Sequence, residues 1–234
     1  MVKVAVNGFG RIGRLVFRYA WDDPSLEIVH VNDLCSVESA AYLLKYDSVH
    51  GTWDKEVVQD KEGYFTVNGK KVTFSSKKNY TSIDFRAMGV EMVLECTGKF
   101  LTMETLSPYI DSCGVKRVVV SAPVKEPACL NVVLGCNDKL LGSGEKKIIT
   151  NASCTTNCLA PVVKVIMEKF GIKHGCITTI HDVTGTQVRI DTSSGIMYYL
   201  YIFCWILNTW NICELDTCTV NFIIRTLTIP FCLL

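Results

Sequence analysis

Val2–Phe17 reads VKVAVNGFGRIGRLVF, and this stretch decides the fold. Its first part, Val2–Val6, is a short apolar run that ends at Asn7-Gly8, which is typical of a buried parallel strand. In the residues that follow, as far as Trp21, apolar side chains recur at helical spacing. Because Ile28–Val31 is a second apolar run, the sequence predicts a strand–helix–strand unit.

Strands and helices continue to alternate after this unit. Tyr64–Val67 and Val72–Phe74 flank Asn68-Gly69, a dipeptide suited to a type I′ hairpin turn. Ser36 can cap a helix, and the helical spacing of the following residues turns three apolar side chains inward, namely Ala40, Leu43 and Leu44. Further strands are predicted at Met92–Glu95, Arg117–Ser121, Val132–Leu134, Lys147–Thr150 and Gly175–His181, and helices at about Thr102–Cys113 and Ser153–Phe170. The alternation predicts an α/β fold with a Rossmann-type, doubly wound parallel sheet.

The glycines between the first strand and the first helix have the G-x-G-x-x-G spacing of a dinucleotide-binding turn. Gly8 permits a tight turn, Gly10 lets a pyrophosphate approach the backbone, and Gly13 lets the helix pack on the strand. Asp33 follows the second strand, where a carboxylate can accept hydrogen bonds from ribose hydroxyls and repel a 2′-phosphate. The pattern predicts NAD as the cofactor; the alternative is a glycine-rich turn with a solvated Asp33.

Cys154 lies at the predicted start of a helix, directly after a strand. Unpaired N–H groups there stabilise a thiolate, which suits a covalent aldehyde mechanism. The alternative is that Cys154 is a small buried apolar residue, or that it pairs with Cys158 one turn later in a disulfide or at a metal. His181 ends a predicted strand, and its residue type alone fits a structural role as well as that of a base.

The composition favours an intracellular chain without a nucleic-acid partner. The 234 residues carry a net charge of +1, which gives no basic face for nucleic acid or acidic membranes. Twelve cysteines occur without an apolar leader segment, so we expect reduced thiols and a cytoplasmic protein. Because no paired CxxC pattern is present, no metal is predicted.

Several longer motifs make the family recognisable. NGFGRIGRLVF, KYDSVHG, ECTGKF, SAP, NASCTTNCLAP and TTIHDVTGTQ occur in that order from Asn7 to Gln187. Together they closely resemble phosphorylating glyceraldehyde-3-phosphate dehydrogenase over about four-fifths of the chain. The resemblance implies a glycolytic, NAD-dependent oxidoreductase that converts glyceraldehyde 3-phosphate and inorganic phosphate to 1,3-bisphosphoglycerate, and that assembles as a homotetramer. A relative that acts on erythrose 4-phosphate is a further alternative.

The resemblance also implies roles for individual residues. Cys154 would be the nucleophile and His181 its general base, Ser153 and Thr155 would hold the attacking phosphate, and Thr184 would hold the substrate phosphate. The cofactor would be held by the glycine turn, by the acid after the second strand and by the loops after later strands. These cofactor-binding positions are Gly8, Phe9, Gly10, Arg11, Ile12, Gly13, Asp33, Lys78, Thr97, Gly98 and Ser121. The family usually has an arginine in place of Lys78.

Beyond Gln187 the motifs of the family are not recognisable, so the sequence predicts three parts. Residues 1–151 form the NAD-binding domain, residues 152–187 begin an incomplete α+β catalytic domain, and residues 188–234 form a tail without strand alternation. Ile196–Cys213 is apolar enough for a membrane span to be an alternative, but polar residues interrupt it and no Lys or Arg flanks it. The favoured hypothesis is a translated intron or a frameshift, and little dehydrogenase activity is expected of the chain alone.

Overall fold

The computed structural model describes residues 1–60, 63–144, 146–180 and 219–223. The chain divides into two compact units, Met1–Asn157 and Cys158–Leu234. Within the described residues, the first unit contains a large sheet with helices packed on it. The second contains the greater part of one long helix and a two-stranded sheet.

The helices are α1 to α4 and the strands β1 to β13 in chain order. The helices span Arg11–Ala20 (α1), Val37–Lys45 (α2), Met103–Asp111 (α3) and Cys154–Phe170 (α4). The strands up to β7 are Val2–Asn7, Leu26–Asn32, Tyr46–Asp47, Gly51–Thr52, Val57–Asp60, Tyr64–Val67 and Lys70–Ser75. The strands from β8 onward are Met92–Glu95, Arg117–Val120, Leu130–Asn131, Ile148–Thr150, Cys176–Ile180 and Thr219–Ile223.

The first unit is built on one sheet with the strand order β10-β11-β9-β8-β1-β2-β7-β6-β5. All neighbours from β10 to β7 run parallel, and β5, β6 and β7 form antiparallel pairs at one end. β1 lies near the middle, between β2 and β8, and its residues Val4–Val6 are fully buried. The α/β prediction with a Rossmann-type sheet is therefore confirmed, and the strand order reverses at β1, where ligands bind such sheets.

Helices cover both faces of this sheet because its central strands are apolar on both sides. Ala5 belongs to a cluster that includes Leu106 and Tyr109 of α3, whereas Val4 and Val6 belong to a second cluster with Phe17 of α1 and residues of α2. The two clusters form separate halves of the core. This alternation along β1 is what a doubly wound sheet requires.

The predicted hairpin lies at the β6–β7 connection. Asn68 and Gly69 have φ angles of 48° and 77°, the left-handed conformation that both central residues of a type I′ turn need. The antiparallel register pairs Val67 with Lys70 across the turn. The Asn-Gly signal was therefore read correctly, although β7 is longer than the predicted Val72–Phe74.

Two details of the sequence prediction are wrong. The predicted strand Val132–Leu134 is displaced: β10 ends at Asn131, and the Val133 amide donates to the Asn137 side chain at 2.7 Å instead of joining the sheet. Leu134 is 82% exposed, so its apolar character misled the prediction. In α2, Leu43 is 39% exposed, and Ala41 occupies the buried position instead.

In the second unit, α4 continues to Phe170 as predicted, and Gly171 follows it with φ 72°, a left-handed conformation that suits the residue after a helix end. Apolar side chains of α4 lie exposed, as Val162, Met167 and Phe170 show. β12 pairs antiparallel with β13, which is a strand in the tail where the sequence predicted none. None of the helices in the described residues is long and apolar enough to cross a membrane, and Ile196–Cys213 lies outside those residues.

Candidate functional site

The glycine turn joins β1 to α1 at the carboxyl edge of the sheet. Gly8 has φ 90°, and a Cβ placed there would lie 2.5 Å from the Thr97 nitrogen. A Cβ on Gly13 would overlap the Gly8 carbonyl oxygen, whereas one on Gly10 would meet nothing within 4 Å. Two of the glycines are thus required by packing within the protein, and Gly10 leaves open space at the surface where a ligand can approach.

Gly10 is the N-cap of α1, and within the part of the chain that the structure describes no side chain caps the helix there. The amides of the first turn therefore keep the partial positive charge that attracts phosphate oxygens. The Arg11 side chain points elsewhere and forms an ion pair with Asp47 at 3.2 Å. Hydrogen bonds from the His50 and Val49 amides, together with Arg11, lower the pKa of Asp47 to about 2 against the opposing effect of burial.

Asp33 lies beside the glycine turn and is half-buried. Its Oδ2 accepts a hydrogen bond from the Phe9 amide at 2.5 Å, and its Oδ1 accepts one from the Cys35 amide at 3.0 Å. A carboxylate has about four acceptor positions, so capacity remains for hydroxyl groups of a ligand. Burial and the nearby Asp33 charge raise the pKa of the Cys35 thiol to about 11, which keeps that cysteine neutral.

The predicted positions after β8 and β9 lie at the same edge. Thr97 donates hydrogen bonds from its amide and its hydroxyl to Glu95, at 2.8 and 2.5 Å. Gly98 follows with φ 68° and open space around it. The Ser121 amide donates to the Glu95 carbonyl oxygen at 2.9 Å. Lys78 lies in the loop after β7 and is exposed. Its neighbour Lys77 is held by a hydrogen bond from its amide to the Asn32 side chain.

Sequence reasoning missed a buried polar cluster behind these loops. Glu95 is 1% exposed and accepts hydrogen bonds from Asn7 and Tyr109, each at 2.7 Å, in addition to those from Thr97. Asn32 donates to Asn7 at 2.7 Å and continues the cluster across β2. Burial raises the pKa of Glu95, and its hydrogen bonds oppose that shift. The available signal in the sequence was a polar residue at the end of each of three neighbouring strands, namely Asn7, Asn32 and Glu95.

Cys154 is the first residue of α4 and its side chain is exposed. The preceding turn is held by Ala152, which has φ 59° and whose amide donates to the Thr150 hydroxyl at 2.9 Å. Ser153 accepts a hydrogen bond from the Thr156 amide at 3.0 Å, and the Thr155 hydroxyl lies 4.0 Å from the Cys154 sulfur. The structure therefore places a free thiol on the surface at the start of a helix, next to two hydroxyl side chains.

The alternatives for Cys154 that involve burial or a disulfide are wrong. Cys154 and Cys158 are both exposed and both free, in contrast to the buried Cys113 and Cys129. Among the described residues, no group of three or more His, Cys, Asp or Glu side chains could hold a metal. His181 and Thr184 lie outside the described residues, so their predicted places beside Cys154 stay predictions.

Two family models match the chain. Residues 2–103 match the glyceraldehyde 3-phosphate dehydrogenase NAD binding domain, and residues 153–198 match the C-terminal domain of the same family. The chain belongs to the glyceraldehyde-3-phosphate dehydrogenase family. The match to an NAD binding domain confirms the prediction of NAD as the cofactor of residues 2–103. The C-terminal match extends beyond Gln187, where the recognisable motifs ended.

Curated relatives agree with this assignment. Glyceraldehyde-3-phosphate dehydrogenase 3 of Nostoc sp. is 52% identical over 191 residues, covering 81% of the chain and 56% of the relative. The Claviceps purpurea enzyme is 46% identical, with 83% and 56% covered, and the cytosolic Leishmania mexicana enzyme is 47% identical, with 83% and 57% covered. The chain thus spans about half the length of the curated relatives it matches.

Proposed function

We propose that this chain binds NAD at the carboxyl edge of β1, β2 and β8, and that the whole protein oxidises and phosphorylates glyceraldehyde 3-phosphate in glycolysis. The observation that carries the proposal is the presence of three features together in the first unit. They are the Gly8–Gly13 turn, the Asp33 carboxylate within hydrogen-bonding distance of it, and an exposed thiol at the start of α4. A location in the cytoplasm and a homotetramer of the family type belong to the same proposal.

The groups around the glycine turn fit NAD. The uncapped amides of α1 would hold the pyrophosphate, and the open surface at Gly10 would let it approach. Asp33 would accept hydrogen bonds from the ribose hydroxyls through the positions that Phe9 and Cys35 leave free. The other predicted contacts are the backbone of Arg11 and Ile12 and the loops that contain Lys78, Thr97, Gly98 and Ser121. Bound NAD would supply a hydride acceptor.

In the proposed chemistry the Cys154 thiolate adds to the aldehyde carbon of the substrate, and a hemithioacetal forms. His181 would take the hydroxyl proton as this carbon is oxidised to a thioester, and NAD held by the glycine turn and Asp33 would supply the hydride acceptor for that oxidation. Inorganic phosphate, held by Ser153 and Thr155, then attacks the thioester carbon, and the Cys154 thiolate leaves with its electron pair. Thr184 would hold the phosphate of the substrate. The thioester conserves the free energy of the oxidation in the acyl phosphate product.

The domain division follows from the same reasoning. We propose an NAD-binding domain over residues 1–151 and the start of a catalytic domain over residues 152–187. The start of the C-terminal family match at residue 153 supports the first boundary, and its end at residue 198 extends the catalytic segment into the predicted tail. Tail residues 188–218 and 224–234 lie outside the described part of the chain, so their assignment rests on sequence alone.

The proposal is tested by thiol reactivity and NAD binding on the full chain. We expect iodoacetate to label Cys154 faster than the other eleven cysteines, because its side chain is exposed and the α4 amides stabilise its thiolate. Calorimetric titration should show NAD binding in the parent chain and, unchanged, in Cys154→Ser. The matched control is Cys158→Ser, which removes another exposed thiol of α4. Labelling of Cys154 no faster than that of Cys158 would contradict the chemical assignment.

A second candidate is NAD binding without chemistry. It is favoured by the fact that every predicted cofactor residue lies in the first unit, whereas His181 and Thr184 do not. Phosphate-dependent formation of NADH from glyceraldehyde 3-phosphate, lost in Cys154→Ser and kept in Cys158→Ser, would exclude this candidate. NAD binding together with labelling at Cys154 but no NADH formation would support it.

A further inference from the structure

Glu95 is buried beneath the predicted cofactor edge and connects two of its loops through hydrogen bonds. It ends β8 and is 1% exposed, and each oxygen of its carboxylate faces two donors. Oε1 accepts hydrogen bonds from the amide and the hydroxyl of Thr97, at 2.8 and 2.5 Å. Oε2 accepts hydrogen bonds from Asn7 and Tyr109, each at 2.7 Å. Every contact of this side chain therefore calls for an acceptor.

Two of the residues that donate hydrogen bonds to Glu95 directly precede the glycines of two turns at the predicted cofactor edge. Asn7 precedes Gly8, and Thr97 precedes Gly98. The turns are also in backbone contact, because a Cβ on Gly8 would lie 2.5 Å from the Thr97 nitrogen and 2.6 Å from the Cys96 carbonyl carbon. The side-chain contacts of Glu95 and this close backbone approach therefore act on the same pair of turns.

The cluster extends to a third loop. Asn32 donates to Asn7 at 2.7 Å and to the Lys77 carbonyl oxygen at 2.9 Å, and it accepts a hydrogen bond from the Lys77 amide at 2.8 Å. Buried polar groups that are fully hydrogen-bonded fix one arrangement of the chain, since any other arrangement leaves one of them without a partner. Glu95 is the member that meets the most donors and has only acceptor positions.

We propose that Glu95 is a positioning residue for the dinucleotide, setting the spacing of the Gly8 and Thr97 turns through its hydrogen bonds with Asn7 and Thr97, while Tyr109 holds the carboxylate from α3. Glu95 itself is buried and makes no contact with the ligand. The inference rests on the proposed NAD site and deepens it: the affinity of that site depends on a carboxylate that lies beneath it.

Two neighbouring tyrosines provide a matched pair of variants. Tyr80 and Tyr109 are both buried, and their rings stack with centroids 3.7 Å apart. The Tyr109 hydroxyl donates to Glu95, whereas the Tyr80 hydroxyl donates to the backbone carbonyl of Thr105 in α3. Tyr109→Phe and Tyr80→Phe each remove one buried hydroxyl from the same packed pair. Only the first removes a partner of Glu95.

The test measures NAD affinity of the full chain by calorimetric titration, at a temperature where circular dichroism shows each variant folded. We expect Glu95→Gln to weaken NAD binding about 10-fold or more. The NH2 group of glutamine is a donor, and it would face two hydrogen-bond donors where a carboxylate oxygen now accepts from both. Tyr109→Phe should weaken it about 3-fold, and Tyr80→Phe less than about 1.5-fold. The amide proton resonance of Thr97 should shift in Glu95→Gln and stay in place in Tyr80→Phe, a change that general destabilisation would not produce.

The outcomes separate this inference from the proposed function. A parent chain that does not bind NAD overturns both. A parent that binds NAD with an affinity equal to that of folded Glu95→Gln overturns the positioning role and leaves the NAD site in place. If Glu95→Gln does not fold, the tyrosine pair decides: weaker binding in Tyr109→Phe alone supports the role, and equal affinities in the two tyrosine variants overturn it.

Discussion

At the residue scale, two glycines of one turn differ in what excludes a side chain. Gly13 faces the Gly8 carbonyl oxygen, and an added Cβ there would overlap that atom. Gly10 has no atom within 4 Å of the same position, and its φ of −67° suits any residue. Gly13 is therefore needed for α1 to pack on β1, whereas Gly10 keeps the surface of the turn open to a ligand.

We expect Gly13→Ala to lower the free energy of unfolding by about 2–3 kcal/mol, because the helix must move away from the strand. Gly10→Ala should cost less than about 1 kcal/mol, the difference between glycine and alanine at an N-cap, and should still weaken NAD binding. Urea unfolding followed by circular dichroism measures both values. Equal losses of stability in the two variants would contradict the packing role assigned to Gly13.

Residues of the site could be predicted where their chemistry is local. The glycine spacing and Asp33 lie in one strand–helix–strand unit, and Cys154 starts a helix that its own segment specifies, so the pattern was sufficient to place these residues, while their roles stay predictions. Glu95 was missed because its partner Asn7 lies 88 residues away, a distance that no local pattern spans. Nor did the sequence reveal that Asp33 accepts a hydrogen bond from Phe9, since that contact depends on the packing of two loops.

At the scale of elements, α3 starts with a reciprocal cap. Thr102 accepts a hydrogen bond from the Thr105 amide, and the Thr105 hydroxyl side chain lies 3.2 Å from the Thr102 amide that donates to it. We expect Thr102→Ala to lower the free energy of unfolding by about 1 kcal/mol, whereas Thr102→Ser keeps the cap oxygen and should lose only a few tenths. Thermal unfolding of both variants checks this. A loss in Thr102→Ser as large as that in Thr102→Ala would exclude the cap as the cause.

Elements with strong local signals were predicted nearly to the residue, as for Met92–Glu95 and the Asn-Gly hairpin. The prediction was wrong where tertiary contacts competed with propensity. Val133 has an apolar neighbour on each side, yet its amide bonds the Asn137 side chain, and this turn ends β10 early. In α4, apolar residues such as Val162 and Met167 are exposed, so an apolar residue at helical spacing does not by itself predict burial.

At the scale of the whole molecule, His30 makes stability depend on pH. Burial lowers its pKa from 6.5 to about 4, and its ring lies between the hydroxyls of Thr73 and Ser75, at 2.8 and 2.9 Å. Because the folded-state pKa is lowered, the unfolded chain takes up the proton first as the pH falls. Stability is therefore full above pH 6.5 and is lost progressively between about pH 6.5 and pH 4.

The loss attributable to His30 should be about 3 kcal/mol across that range, an upper value set by the pKa difference. Urea unfolding at a series of pH values measures it. His30→Gln should flatten the dependence between these limits, whereas His50→Gln, which changes an exposed histidine, should leave it as in the parent. An unchanged slope in His30→Gln would assign the pH dependence to other groups.

Ala152 directly precedes Ser153 and Cys154, and its φ of 59° is a left-handed backbone conformation that is costly for alanine. A glycine would adopt the same left-handed geometry with less strain, but it would also visit many others. Alanine narrows that choice, so backbone stiffness helps to fix the direction in which the chain leaves β11, together with the hydrogen bond to Thr150 and the one from the Asn157 side chain to the Asn151 carbonyl oxygen. The direction in which the Cys154 thiol points thus depends on the backbone conformation of Ala152. A residue with more conformational freedom at position 152 would allow a wider range of thiol orientations.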